Sequence, residues 1–234
     1  MRKKKKHGGL WSDAWKRLKK NKLAVIGAVW IVFVVLVALT ADLWAPQLLG
    51  SPTDIDTTTV AQSSKLPPSP EHPFGTDATG RDQLVRVIYG SRVSLTVGVI
   101  ATLISTGIGL VMGALAAFYG GWFDTIIMRL ADMFLAIPYT LFVITMLAVM
   151  GQGIQNVFIA IGVLGWPSIA RVFRSAILSV KENDYVDAAR AMGASDLRII
   201  ARHIFPNSVA SIVVYATMNI GGAILTESAL SYLG

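Results

Sequence analysis

Hydrophobic and polar positions fall in long blocks along this chain, not at the short periods of a water-exposed domain. Uncharged runs extend over nineteen residues at Leu23–Ala41, thirty-one at Val93–Phe123, thirty-eight at Met133–Ala170 and twenty-three at Ile204–Thr226. A helix needs about 20 apolar residues to cross a hydrocarbon core of about 30 Å. The run at Met133–Ala170 is too long for one crossing, and GQGIQN at Gly151–Asn156 divides it with turn residues. The pattern predicts five spans, at about 23–43, 93–118, 126–150, 155–172 and 206–226. The expected fold class is all-α, a polytopic transmembrane helical bundle.

Composition agrees. Of 234 residues, 53% are hydrophobic and only 15% charged, with a mean hydropathy of +0.57. A water-soluble domain of this length needs more polar residues to cover its surface. The net charge of +7 raises nucleic acid as a partner, but its placement argues against it. Ten of the 21 Lys and Arg precede the first span, six lie between Arg171 and Arg202, Arg129 opens the third span, and four lie in the first long loop. Cations accumulate on the cytoplasmic side of a membrane. A cytoplasmic N-terminus puts 17 of the 21 inside, and the reverse topology inverts that ratio. The expected location is the cell (plasma or inner) membrane, multi-pass.

Residues 1–22 are basic and place Leu10, Trp11, Ala14, Trp15 and Leu18 along one helical face, as in segments that lie on anionic lipid headgroups. A signal peptide is disfavoured, because the apolar run that follows exceeds the usual 7–15-residue core. An uncleaved first transmembrane helix at 23–45 is expected instead. The chain has no cysteine, hence no disulfide framework.

A Pro/Ser/Thr-rich stretch, Ser51–Pro70, belongs to an extracytoplasmic loop expected over 46–92. Gly75, Gly80, Arg81 and Asp82 superficially suggest a phosphate-binding loop. That loop requires Lys and then Ser or Thr after the second Gly, and a strand before it, so the match fails. A turn leading into a short interfacial helix is the expectation. No nucleotide site, metal site or cofactor is expected in this chain: His7, His72 and His203 lie far apart, and no nucleophile stands beside a base.

In the second span, Ala101, Ser105, Gly109, Gly113 and Ala117 recur every fourth residue. Such a smooth stripe lets another helix backbone approach closely, although the spacing does not say which helix. Ionisable residues within spans are few. Arg129 and Asp132, three apart, are expected to pair on one helix face, and Asp42 and Glu227 to sit at span ends. Pro138 and Pro167 are candidate kinks.

The segment DYVDAARAMGASDLRIIARHIFPN, residues 184–207, interrupts the apolar pattern with charge. Tyr185, Ala188, Ala189 and Met192 follow one helical spacing, and Asp184, Asp187 and Arg190 another. Gly193 ends this short helix as a glycine beyond the C-cap does. Ser195 or Asp196 then caps a second helix running through Leu197–Phe205. The bland alternative is an amphipathic connector on the lipid surface. Ala188 and Ala189 are expected to admit a close partner, Asp187 to anchor it, and Arg190 to pair with an acidic group or be solvated.

This segment resembles the EAA loop of ABC-importer permease subunits: Asp187-Ala188-Ala189, then Gly193, then His203-Ile204-Phe205-Pro206. Asp replaces the family's Glu, and His203 and Phe205 depart from its Ile and Leu. RHIFPN, HPFGTDATGRD, IYGSRVSL, YGGWFD, MRLADMFLAIP and ESALSYLG resemble the C-type permease of the dipeptide/oligopeptide/nickel branch, from about residue 10 to the end. The resemblance implies a type I importer permease of the MetI-like kind, a non-catalytic transport subunit forming half of a translocation path. Its implied partners are a homologous permease subunit in a heterodimer, two cytoplasmic ATP-binding subunits that use the ATP, an extracytoplasmic solute-binding protein, and membrane lipid. The implied ATPase-coupling residues are Tyr185, Asp187, Ala188, Ala189, Arg190, Gly193, Ala194 and Ser195, in a cytoplasmic loop at about 173–205 within a permease core spanning 93–234. Such permeases usually have six spans, so five imply a C-terminal truncation. A secondary transporter or channel, and a scaffold recruiting a cytoplasmic partner, are the alternative readings; the first needs intramembrane charges or an ion-binding broken helix.

Overall fold

The computed structural model describes residues 15–16, 18–48, 63–151 and 153–233, of which 46–48, 196, 197 and 233 are described by their backbone alone. Leu10, Trp11 and Ala14 of the basic amphipathic segment therefore lie outside the described residues. The chain divides into two compact units, Met1–Val93 and Ser94–Gly234.

In the first unit, helix α1, Lys22–Leu48, is apolar on nearly every face. Ala38, Ala41 and Ala45 form its buried stripe, where Arg92 donates to the Ala38 carbonyl at 2.9 Å and pairs with Asp42 at 2.7 Å. The loop from Ser63 to Asp82 folds around Asp77. That carboxylate accepts from the Thr79 amide and hydroxyl, the Arg81 amide and guanidinium, and the Arg86 guanidinium, at 2.6–3.0 Å. Burial acts to raise its pKa, but the bonds from Thr79 and Arg81 outweigh that effect and hold the carboxyl well below the usual range. Asp82 caps the next helix, accepting from the Leu84 and Val85 amides at 2.8 and 3.1 Å.

That helix, α2, runs without a break over Gln83–Tyr119. The short interfacial helix expected before residue 93 is thus the first turns of the span itself. No proline intervenes, so the ladder simply continues. Gly120 and Gly121, with φ of 64° and 55°, turn the chain into α3, Gly121–Ala136. The single span expected at 126–150 is instead a broken one: α3 and α4, Tyr139–Met150, meet at 89°. Pro138 supplies the reason. It denies the ladder an N–H and drives Ile137 into extended geometry, φ −88° and ψ 133°. Gly151 and Gly153, both with positive φ, form the expected turn. The Asn156 amide closes it on the Met150 and Gly151 carbonyls, at 3.0 Å each.

Helix α5, Ile154–Lys181, passes through a buried Pro167 without interruption. Beyond it come α6 (Asp184–Ala191), α7 (Asp196–Ile199), a π-helical turn (Ile200–Ile204) and α8 (Phe205–Leu233). Among the described residues, four helices are long and apolar enough to cross a bilayer, or five when the bent α3–α4 pair counts as one span.

The small-residue stripe of α2 finds its partner in α5. A Cβ on Gly162 would lie 2.7 Å from Ile104 and 3.0 Å from the Ala101 carbonyl; one on Gly165 would lie 3.1 Å from Ser105. Further along, a Cβ on Gly109 would meet Ile169 at 2.7 Å, and one on Gly113 the Ala170 carbonyl at 2.7 Å. Ala117 then packs among Phe173 and Ile177. Contacts advance in the same direction on both helices, so α2 and α5 are parallel. The chain between them must return to the end at which α2 began, and α3–α4 performs that return.

Two ion pairs fix α3 to α5. Arg174 grips Asp124 with two bonds of 2.5 Å, and Arg171 pairs with Asp132. The expected Arg129–Asp132 pair does not form. Asp132 turns to the guanidinium of the neighbouring helix, whose planar fork suits a carboxylate better than a strained contact along one helix. Glu227 accepts from Ser94 at 3.0 Å within α8, several residues before that helix ends.

Candidate functional site

The charged segment forms a helical hairpin. Helix α6 has Asp184 and Asp187 in its first turn and Arg190 in its last, the order that complements a helix dipole. It ends in a Schellman arrangement. The Gly193 amide donates to the Arg190 carbonyl at 2.9 Å and the Ala194 amide to the Ala189 carbonyl at 3.1 Å, with Gly193 at φ +79°. Ser195 stands at the start of α7, its carbonyl accepting the Ile199 amide at 3.0 Å.

The expected independent second helix through Phe205 is only one turn of α-helix. It widens into the π turn and runs on into α8. The Phe205 amide reaches back to the Ile200 carbonyl, one residue further than in an α-helix. Pro206 explains the widening, since its ring crowds the carbonyl four residues earlier and brings no N–H to bond it. Helix α5 also carries past Phe173 to Lys181, so the loop expected at about 173–205 is a tighter hairpin over 182–199.

One face of the hairpin is locked to the bundle. Val186 and Ile199 are 0% exposed and Ile204 1%, packed with Ala117 and Phe118 of α2, Phe173 and Ile177 of α5, and Ile212 of α8. Each such side chain, withdrawn from water, contributes about 1.5–3 kcal/mol. Ala194 packs against the same cluster, and the Tyr185 ring leans on His203 at 6.2 Å. At the hairpin's root, the Lys181 ammonium donates to the Ala117 and Phe118 carbonyls at 3.3 and 3.0 Å and lies over the Phe118 ring. It satisfies carbonyls that the end of α2 leaves unpaired.

The other face is exposed. Tyr185, Asp187, Ala188, Arg190, Met192, Gly193 and Ser195 are all exposed, Met192 at 82%. Arg190 pairs with Asp187 at 3.2 Å. Ala189 departs from expectation. It is only 4% exposed, turned inward beside Val186, because it falls three residues on and shares that helical face. It is small for packing within this chain, and of the two adjacent alanines Ala188 is the one that faces outward. Met192 was legible in the sequence only as a helix position; its exposure depends on where α6 stops.

Residues 107–234 match the family described as "Binding-protein-dependent transport system inner membrane component", and residues 9–68 match "N-terminal TM domain of oligopeptide transport permease C". The chain is 40% identical over 230 residues to the oligopeptide transport system permease protein OppC of Bacillus subtilis (strain 168), covering 98% of this chain and 73% of that one. It is 40% identical over 225 residues to the dipeptide transport system permease protein DppC of the same strain, covering 95% and 67%. To the glutathione transport system permease protein GsiD of Escherichia coli O157:H7 it is 39% identical over 224 residues, covering 96% and 72%.

Proposed function

The chain belongs to the binding-protein-dependent transport system inner membrane components, the multi-pass permease subunits of ABC importers, and we propose that it imports peptides by following an ATP-binding subunit seated on its α6–α7 hairpin. The carrying observation is the two-faced hairpin, with Val186, Ile199 and Ile204 locked into the bundle, Ala189 buried on the same side, and Tyr185, Asp187, Ala188, Arg190 and Met192 exposed to a partner. A helix held this way moves as one body with α2, α5 and α8. ATP drives such motion only by binding more tightly to one conformation of the complex than to the other. Two ATP-binding subunits close on the nucleotide, each carrying a permease hairpin, and the attached spans rock between inward-open and outward-open states.

In this reading Gly193 sets the hairpin turn, and Ala194 and Ser195 hold it. Asp187 and Arg190 present a charge pair to the groove, Ala188 permits close approach, and Met192 fills an apolar depression. The second permease is a homologous, non-identical chain, and an extracytoplasmic protein delivers the solute. This chain binds no cofactor and carries out no chemistry; ATP is hydrolysed in its partners. Charge supports the orientation. With five crossings, the hairpin follows the fourth and so shares the cytoplasmic side with the basic residues 1–22. Peptide cargo is supported by the oligopeptide, dipeptide and glutathione permeases to which the chain is similar.

The test places a single cysteine at Ala188 in the assembled complex and scans cysteines across the ATP-binding subunit. The chain has no native cysteine to interfere. Disulfides confined to one groove, with a yield that changes on adding ATP, are expected. Labelling of Ala188→Cys by a membrane-impermeant thiol reagent applied only from outside intact cells overturns the topology and the coupling role together.

A further inference from the structure

Away from the hairpin, the second unit encloses a cleft of about 270 Å³ among α2, α3, α4, α5 and α8. Its polar lining consists of Thr102, Ser105, Tyr139, Ser168, Asn219 and Thr226, and no lining residue carries a charge. Four of these side chains already bond backbone carbonyls: Ser105 that of Thr102, Tyr139 that of Ile161, Asn219 that of Tyr215 and Thr226 that of Gly222, at 3.0–3.1 Å. Those bonds hold the lining in place, and the hydroxyl oxygens retain acceptor capacity. Thr102 differs. It is 5% exposed, and its hydroxyl has no hydrogen-bond partner among the described residues. A buried hydroxyl left unpaired costs free energy, and a site that retains one is suited to a group that arrives and leaves.

We propose that this cleft is a transit site for the backbone of the imported solute, in which the Thr102 hydroxyl hydrogen-bonds a passing peptide amide. The chemistry favours this class. Without charge the cleft cannot fix a terminal carboxylate or ammonium, whereas a peptide offers one neutral N–H and one C=O per residue. The volume lies near the lower end of ligand pockets, which span about 300–1,000 Å³, and suits one or two residues at a time. Many such weak bonds, none of them ionic, let a solute enter without being trapped. Side-chain identity goes unread, and the amide is the common feature. This inference rests on the importer reading above and narrows its cargo to solutes rich in neutral amides.

The experiment uses the complete complex in proteoliposomes, with Ser168→Cys as reporter, Ala223→Cys as a second reporter in the cleft, and Val149→Cys, outside it and 86% exposed, as control. Dialanine is the probe. It is expected to slow thiol labelling at Ser168→Cys and Ala223→Cys several-fold and to leave Val149→Cys unchanged. Thr102→Val should weaken that protection roughly 2- to 10-fold, the worth of one neutral hydrogen bond, and Thr102→Ser should restore it. Uptake of labelled dialanine, trialanine and glutathione by the wild-type complex is measured in parallel. If the wild type takes up none in the presence of ATP, the peptide-importer reading falls and the transit site with it. If uptake occurs but neither reporter is protected, or Thr102→Val protects like wild type, the transit site alone is overturned.

Discussion

Adding one methyl group at Gly113 and at Gly107, six residues apart on α2, should produce effects of opposite sign. At Gly107 a Cβ meets nothing within 4 Å among the described residues. Ala there gains helix propensity, about 0.5–1 kcal/mol. At Gly113 the same atom would lie 2.7 Å from the Ala170 carbonyl oxygen and 3.2 Å from the Ala170 Cα. Both are backbone atoms of α5, so no rotamer change relieves the contact. Ordinary contact begins at 3.4 Å, so α2 and α5 must separate locally by about 0.7 Å. Overpacking of this kind costs about 1–3 kcal/mol and outweighs the propensity gain. Gly113→Ala should therefore fall below Gly107→Ala by about 1–3 kcal/mol. The assay follows loss of monodisperse protein on heating the detergent-solubilised complex, with Gly107→Ala melting at or above wild type and Gly113→Ala below it. If Gly113→Ala melted with Gly107→Ala, the parallel α2–α5 contact would be wrong. Gly113→Leu should be worse still, and a result no worse than Gly113→Ala would point the same way.

Other perturbations have equally definite outcomes. Gly193→Ala meets no atom of the described residues within 4 Å but must hold φ +79°, which costs about 1–2 kcal/mol; faster hydrogen exchange of the Ala194 amide, and less uptake per ATP hydrolysed, should report it. Lys181→Met keeps the stem but strands the Ala117 and Phe118 carbonyls, costing about 1.5–3 kcal/mol, and limited proteolysis should cut the hairpin sooner. Reversing the Asp124–Arg174 pair as Asp124→Arg with Arg174→Asp should recover part of the heat stability that either change alone removes, whereas independent, additive losses would show the pair to be uncoupled. Asp77 has a folded pKa below its usual value of 3.8. Its contribution is complete above that pH and is lost as pH falls toward the lower folded value. Protection of the Thr79 and Arg81 amides should thus hold from pH 7 to 5 and survive below pH 4, while Asp77→Asn removes it throughout.

The helical class, the positions of the membrane segments and the polar hairpin were legible in the chain because each depends on local composition. A run such as Leu23–Ala41 has no stable place outside a hydrocarbon or a core. Gly193 announced its turn because few residues besides Gly adopt a left-handed backbone without cost. The family resemblance was legible for the same reason: the hairpin is a contiguous motif, read in order. What crossed from one segment to another was not. The stripe from Ala101 to Ala117 promised a close neighbour without naming it, since small residues say how near a helix can come and not which helix comes. Asp132 had a plausible partner three residues away and chose Arg171, thirty-nine positions distant, because packing brought a better-shaped guanidinium. Periodicity paired Ala189 with Ala188, but the burial of Val186 turned one inward and left the other at the surface.

By itself the sequence determined where this protein meets lipid, where it meets water, and what kind of subunit it is, all through transfer free energies and backbone preferences that act within a few residues. Only the tertiary structure decided the parallel seating of α2 on α5, the 89° turn at Pro138, the inward and outward faces of the hairpin, and the uncharged cleft that leaves the Thr102 hydroxyl unpaired. Those depend on which of many feasible helix contacts fill space best, a sum of individually small dispersion and hydrogen-bond terms over side chains far apart in the chain.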